Sequence, residues 1–104
     1  MKFTDNSKLK NKMKKAQPLL VTTSHRGVFF GYGTMTNEST IALTDARMCV
    51  YWTADLHGVL GLATIGPKSG CKLGPTVSTI TLRDVTAVIA CSADAEANWK
   101  KEIW

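Results

Sequence analysis

No stretch of this chain is apolar over the roughly 18–20 residues that a membrane-spanning helix needs. The basic start runs on into more lysines, with no apolar stretch of about 7–15 residues such as a secretory signal requires. A chain kept in the cytoplasm, with no membrane partner, is therefore expected. Cysteine is scarce and odd in number: Cys49, Cys71 and Cys91. An odd count without a signal peptide argues against a disulfide framework. Cys49 and Cys91 sit in apolar runs, where a thiol packs as a small hydrophobe. Cys71 sits in a Gly/Lys loop and is expected to be the exposed thiol. There is no C-x-x-C pair, and the only histidines, His25 and His57, lie 32 residues apart. Neither zinc nor any other cofactor is expected.

Catalytic patterns are missing as well. Asp55 and His57 are neighbours in a loop, and no serine completes a triad with them at the level of sequence. The acidic residues are scattered through turns and the last helix, so no carboxylate pair stands out. The stretch Gly61-Leu-Ala-Thr-Ile-Gly66-Pro67-Lys68-Ser69 comes close to a phosphate-binding P-loop. That motif needs Lys directly after the last Gly and a helix following it, whereas Pro67 intervenes and removes an N–H donor. The chain reads as a non-enzyme.

What the sequence does have is an uneven charge. Residues 1–17 carry six lysines (Lys2, Lys8, Lys10, Lys12, Lys14, Lys15) against Asp5, which is the whole net charge of +5. The other 87 residues hold seven basic and seven acidic groups and sum to zero. A basic arm therefore precedes a neutral body, with Pro18 marking the boundary. The arm, through residues 2–15, is a candidate for nucleic-acid contact. A polymer grip of that kind would weaken steeply with salt.

Residues 18–104 form one domain on size alone. β-Branched and aromatic runs separated by turn residues predict strands at Leu19–Ser24, Val28–Gly33, Thr40–Thr44, Ala46–Trp52, Val59–Ile65, Thr79–Arg83 and Thr86–Cys91. Gly27 is expected to supply the positive φ of the first turn. Ser92 is a good N-cap for a terminal helix over 93–102, acidic at its start and basic at its end. The expected fold is mostly β or α+β: a single small antiparallel sheet or barrel-like meander of six to seven strands with a short C-terminal helix. Trp99 and Ile103 would dock that helix, and Trp104 would pack across an interface. A domain this small gains buried area by forming a homo-oligomer.

Candidate binding groups follow from this layout. Arg47 and Tyr51 fall on one face of a strand beside Trp52, and an arginine with aromatics on a sheet can stack a base and neutralise a phosphate. Lys68 and Lys72, with the glycine N–H groups of their loop, make an anion-binding turn. Arg26, with His25, stands at a strand tip and can meet phosphate.

The strings Val21-Thr22-Thr23-Ser24-His25-Arg26-Gly27-Val28-Phe29-Phe30-Gly31-Tyr32, Ala46–Trp52 and Gly58–Ala63 resemble a family of short phage and prophage proteins of unknown function. Gly66-Pro67-Lys68, Leu82–Thr86 and Asn98-Trp99 through Trp104 extend the resemblance over residues 18–104. It implies a phage-encoded, non-catalytic protein that acts by binding. By class, it suggests an anti-defence protein that sequesters a phosphate-bearing nucleotide immune signal, of the cyclic oligonucleotide or cyclic ADP-ribose type. The ligand groups would be Arg26, Arg47, Tyr51, Trp52, Lys68, Lys72 and His25. The alternatives are a nucleic-acid-binding accessory protein using the lysine arm, and a protein–protein inhibitor of a host defence factor.

Overall fold

A computed structural model describes residues 16–101. The basic arm at 1–15, Ile103 and Trp104 lie outside the described residues. The elements are β1 (Gln17–Thr23), β2 (Val28–Gly33), β3 (Ile41–Tyr51), a 3₁₀ turn at Ala54–Leu56, α1 (Val59–Thr64), β4 (Lys72–Leu73), β5 (Val77–Leu82), β6 (Val85–Ala90) and α2 (Ala93–Trp99).

Every strand pairing is antiparallel. The order runs β6-β1-β2-β3, and the far edge of β3 is shared: its first half pairs with β5 and its last residues with β4. β5 and β6 therefore stand at opposite ends of the order, yet only Arg83 and Asp84 join them. The sheet can satisfy both facts only by curling. The β1–β2 turn and the β5–β6 turn meet where Ser24 N donates to Asp84 O at 2.9 Å.

A curled sheet backed by helices has two apolar faces, and the sequence supplies both. Leu19, Leu20 and Val21 are all fully buried, although successive residues of a strand point to opposite sides. Leu19 and Val21 join Ile41, Leu43, Ala46 and Leu82 on the inner face. Leu20 joins Phe30, Cys49 and Leu73 beneath Leu56, Leu62, Ala63, Ala95 and Trp99, which come from the 3₁₀ turn and the two helices. Such doubly buried strands read as continuous apolar runs, as VFFGYG does.

The expected strands Thr40–Thr44 and Ala46–Trp52 are one element, β3. Opposite Phe30–Tyr32, β3 carries one residue too many, with Phe30 facing Arg47 and Tyr32 facing Thr44. Asp45 absorbs the surplus with φ of 47°, a β-bulge that bends the strand and resets its alternation. Ile41 and Leu43 point inward before it; Ala46 does so after it.

Val59–Ile65, expected as a strand, is instead the helix α1. Val59, Leu62 and Ala63 lie on the packed side at helical spacing while Leu60 is exposed. Six residues are too few for periodicity to separate strand from helix. Gly61 decides the packing, since a Cβ there would run into the Leu56 carbonyl. A helix leaves its last carbonyls without internal partners, and here α2 and its cap take them. Leu62 O accepts from Trp99 Nε1 at 3.0 Å, and Ala63 O from Ser92 N at 2.9 Å. Thr64 O accepts from Ser92 Oγ at 2.6 Å, and Ile65 O from Asn98 Nδ2 at 2.7 Å. Ser92 caps α2 as expected, its Oγ accepting from Ala95 N at 3.0 Å. The helix ends at Trp99 rather than at residue 102, with Lys100 as its C-cap.

Two smaller expectations are corrected. The positive φ in the first turn belongs to Arg26, at 67°, and not to Gly27. Cys71 is buried beneath the helices, 3% exposed, because β4 draws its loop against β3. The three thiols are unpaired with one another.

Candidate functional site

The seven residues singled out in the sequence do not converge. His25 and Arg26 stand at the exposed tip of the β1–β2 turn, with His25 Nε2 3.7 Å from Asp84 Oδ2. Lys68 is engaged by Asp55 at 2.9 Å on the far loop. Tyr51 and Lys72 face each other across the β3–β4 pair, and both side chains are exposed. Trp52 is partly buried against the helix-covered core, where aromatic area stabilises packing. Cross-strand pairing makes Tyr51 and Lys72 neighbours, and one turn carries His25 and Arg26; Trp52 and Lys68 lie on other loops.

Arg47 has a different fate. Its Nε donates to Gly74 O at 2.9 Å, and its Nη1 donates to Trp99 O at 3.0 Å and Lys101 O at 2.8 Å. One guanidinium thus ties β3 to the β4–β5 loop and to the C-terminal end of α2, where a cation also meets the negative end of the helix dipole. Its Nη2 has no hydrogen-bond partner among the described residues.

That guanidinium lies on the wall of a cleft of about 440 Å³, between the bulged part of β3 and α2. Phe30, stacked on Trp99 with ring centroids 5.1 Å apart and Tyr32 edge-on at 5.4 Å, forms the aromatic side. The polar side carries Asp45, Arg47, Glu96 and Lys100. Tyr32 Oη donates to Glu96 Oε2 at 2.6 Å. Lys100 Nζ lies 3.8 Å from the same carboxylate oxygen and 5.9 Å from the centre of the Tyr32 ring. Burial first, and then the Glu96 carboxylate that holds its proton, push the Tyr32 phenol well above its ordinary value near 10. The cleft therefore presents a neutral phenol, two cations and two carboxylates. Its volume falls within the range of small-ligand sites.

Of the expected ligand groups, Arg47 alone lines this cleft. Glu96 and Lys100 were legible as an i,i+4 pair on a helix, but their meeting with Tyr32, 64 residues from Glu96 in the chain, is a product of the fold. No group of three or more His, Cys, Asp or Glu side chains among the described residues is placed to hold a metal ion. No described helix is long and apolar enough to cross a membrane.

These features define a class: a small, mostly β domain in which a curled antiparallel sheet is backed by two short helices, the second of which caps the first. Residues 16–99 match the model of a domain of unknown function, DUF6948, and the chain belongs to that family. No curated protein and no solved structure matches it.

Proposed function

We propose that this protein is a non-catalytic binding protein and that the cleft beside Arg47 holds a phosphate-bearing nucleotide. The observation that carries this reading is the state of the Arg47 guanidinium. Three backbone carbonyls fix it in place beside the cleft that Arg47 lines, and its second terminal nitrogen has no hydrogen-bond partner among the described residues. A pre-ordered guanidinium loses little entropy on meeting an anion. Lys100 supplies a second cation, and the Tyr32 ring offers a face for a base. Asp45 and Glu96 would repel a bare phosphate, so the ligand must also bring donors. A nucleotide does, through its ribose hydroxyls and base amino groups. Held without cleavage, such a signal would be withdrawn from solution, which is the role that the resemblance to phage proteins implies.

The test is a thermal-shift and calorimetric survey of the full chain with cyclic di- and trinucleotides and cyclic ADP-ribose isomers. A ligand at about one hundred times its Kd stabilises by about 2.7 kcal/mol, enough for a rise of several degrees in a domain this size. Lys100→Ala, at an exposed position, removes a cation and should weaken binding while leaving the free protein's Tm within a degree or two. If none of these compounds moves the Tm or gives a binding heat, the reading is wrong.

A further inference from the structure

Among the described residues β5 and β6 each have a sheet partner on one side only, and the one irregularity in either is a bulge at Thr86, next to the first residue of β6. Among the described residues, β5 pairs with β3 alone and β6 with β1 alone. Beyond its first residue, where Val85 N donates to Ser39 O, β6 has no backbone partner on its outer side among those residues, and β5 has none on its outer side. Natural edges are blunted by charges, proline, bulges or short length. β5 is Val-Ser-Thr-Ile-Thr-Leu and β6 is Val-Thr-Ala-Val-Ile-Ala, with no charge, proline or glycine in either. Four of the six residues in each are β-branched. Both edges have the composition of strands that add to other strands.

The surface next to β5 points the same way. The inner face of the sheet does not stop at its core. It continues into an open groove of about 390 Å³ lined by Phe29, Met48, Val50, Val77 and Ile80. Met48, Val50 and Val77 are 38%, 57% and 43% exposed. The described residues of one copy leave both the groove and the outer sides of β5 and β6 uncovered.

We propose that a second copy of this chain covers them, β5 of one copy pairing with β6 of the next. The occupant is a copy rather than a foreign strand because both halves of the pairing are on the one molecule. The two edges are of equal length, six residues each, and have matching uncharged composition. A foreign strand would satisfy one edge and leave the other open. The contact is head-to-tail: each copy uses β5 toward one neighbour and β6 toward the other, so the sheet runs on from copy to copy. Copies meeting at β5 also bring the groove beneath the incoming chain, which buries Val50 and Val77. This inference does not depend on what the Arg47 cleft binds.

The experiment is native mass spectrometry and light scattering on the full chain, with two variants that spoil one edge each. Thr79→Lys with Thr81→Lys charges β5, and Thr86→Lys with Ala90→Lys charges β6; all four positions are exposed. The unaltered chain should give masses that are multiples of 11.3 kDa. Each variant alone should be monomeric. An equimolar mixture should recover a two-copy species, because one variant retains β6 and the other β5. An unaltered chain that stays monomeric at millimolar concentration overturns the proposal, as does either variant that remains assembled alone, or a mixture of folded variants that stays monomeric. Hydrogen exchange on the unaltered chain reads the contact without any substitution. Amides of β5 and β6 should gain protection together as concentration rises, and protection gained at only one edge also refutes the pairing.

Discussion

Replacing Trp99 by Phe isolates one hydrogen bond from the packing around it. The indole is fully buried, lies parallel to the Phe30 ring within 7°, and donates from Nε1 to Leu62 O. Phenylalanine keeps a ring over Phe30 but carries no donor. The Leu62 carbonyl, near the end of α1, then stays buried without that partner, at a cost of about 1–3 kcal/mol. The ring atoms that are lost add about 1 kcal/mol of apolar burial, so Trp99→Phe should destabilise by about 2–4 kcal/mol. Trp99→Ala removes the stacking partner and leaves a cavity, a loss of about 3–5 kcal/mol before the orphaned carbonyl is counted. A small domain has about 5–15 kcal/mol in total, so the alanine variant should sit at the margin of folding. Urea unfolding followed by far-UV circular dichroism measures both. With a slope of about 1–2 kcal/mol per molar, Trp99→Phe should lower the midpoint by 1 M or more. A Phe variant within about 0.3 M of the parent would refute the claim that α2 stabilises α1 by satisfying its carbonyls.

Other perturbations test the same framework. Ser92→Ala removes the N-cap of α2 and the donor to Thr64 O together, so it should cost about 1–3 kcal/mol, read as a lower Tm; Ser92→Asp, which caps but cannot donate, should recover only part of that loss. Stability should also fall in alkali. Burial pushes the Cys49 thiol from an ordinary value near 9 up to about 11 and the Cys91 thiol up to about 12, and it raises the Tyr32 phenol too. The folded chain then keeps protons that the unfolded chain releases. Their contribution is whole below about pH 9 and is lost progressively as pH rises toward the folded-state values. Urea midpoints should be flat from about pH 6 to 8 and drop beyond about pH 9; a midpoint that holds through about pH 10.5 would contradict this burial.

The one-dimensional pattern was enough for the fold class and for most of its strands. Runs such as LLVTT, VFFGYG and TAVIA fall within β1, β2 and β6 because apolar, β-branched residues on both sides of a strand suit a sheet buried on two faces. Ser92 fixed the start of α2 because its side chain acts on a backbone group three residues away, a local event that a local pattern can carry. The same reading misjudged VLGLAT. Its six residues satisfy either period, and the choice rests on Gly61 fitting against Leu56 and on carbonyls that α2 supplies with donors from about 30 positions downstream.

The candidate site divides along the same line. Residue types chosen for phosphate chemistry were scattered by the topology to three loops and an edge, because nothing in a sequence says which turns of a curled sheet will meet. Arg47 was legible as a functional group but not as a clamp, since its carbonyl partners at Gly74, Trp99 and Lys101 are 27, 52 and 54 residues away. Composition and local pattern were enough for a neutral β domain behind a basic arm, free of disulfide and zinc patterns. It took the tertiary fold to send Arg47 to the helices through the bulge at Asp45, to bring Tyr32 to Glu96, and to leave β5 and β6 with one sheet partner each among the described residues. Those outcomes depend on contacts between distant segments, which exist only once the sheet has curled.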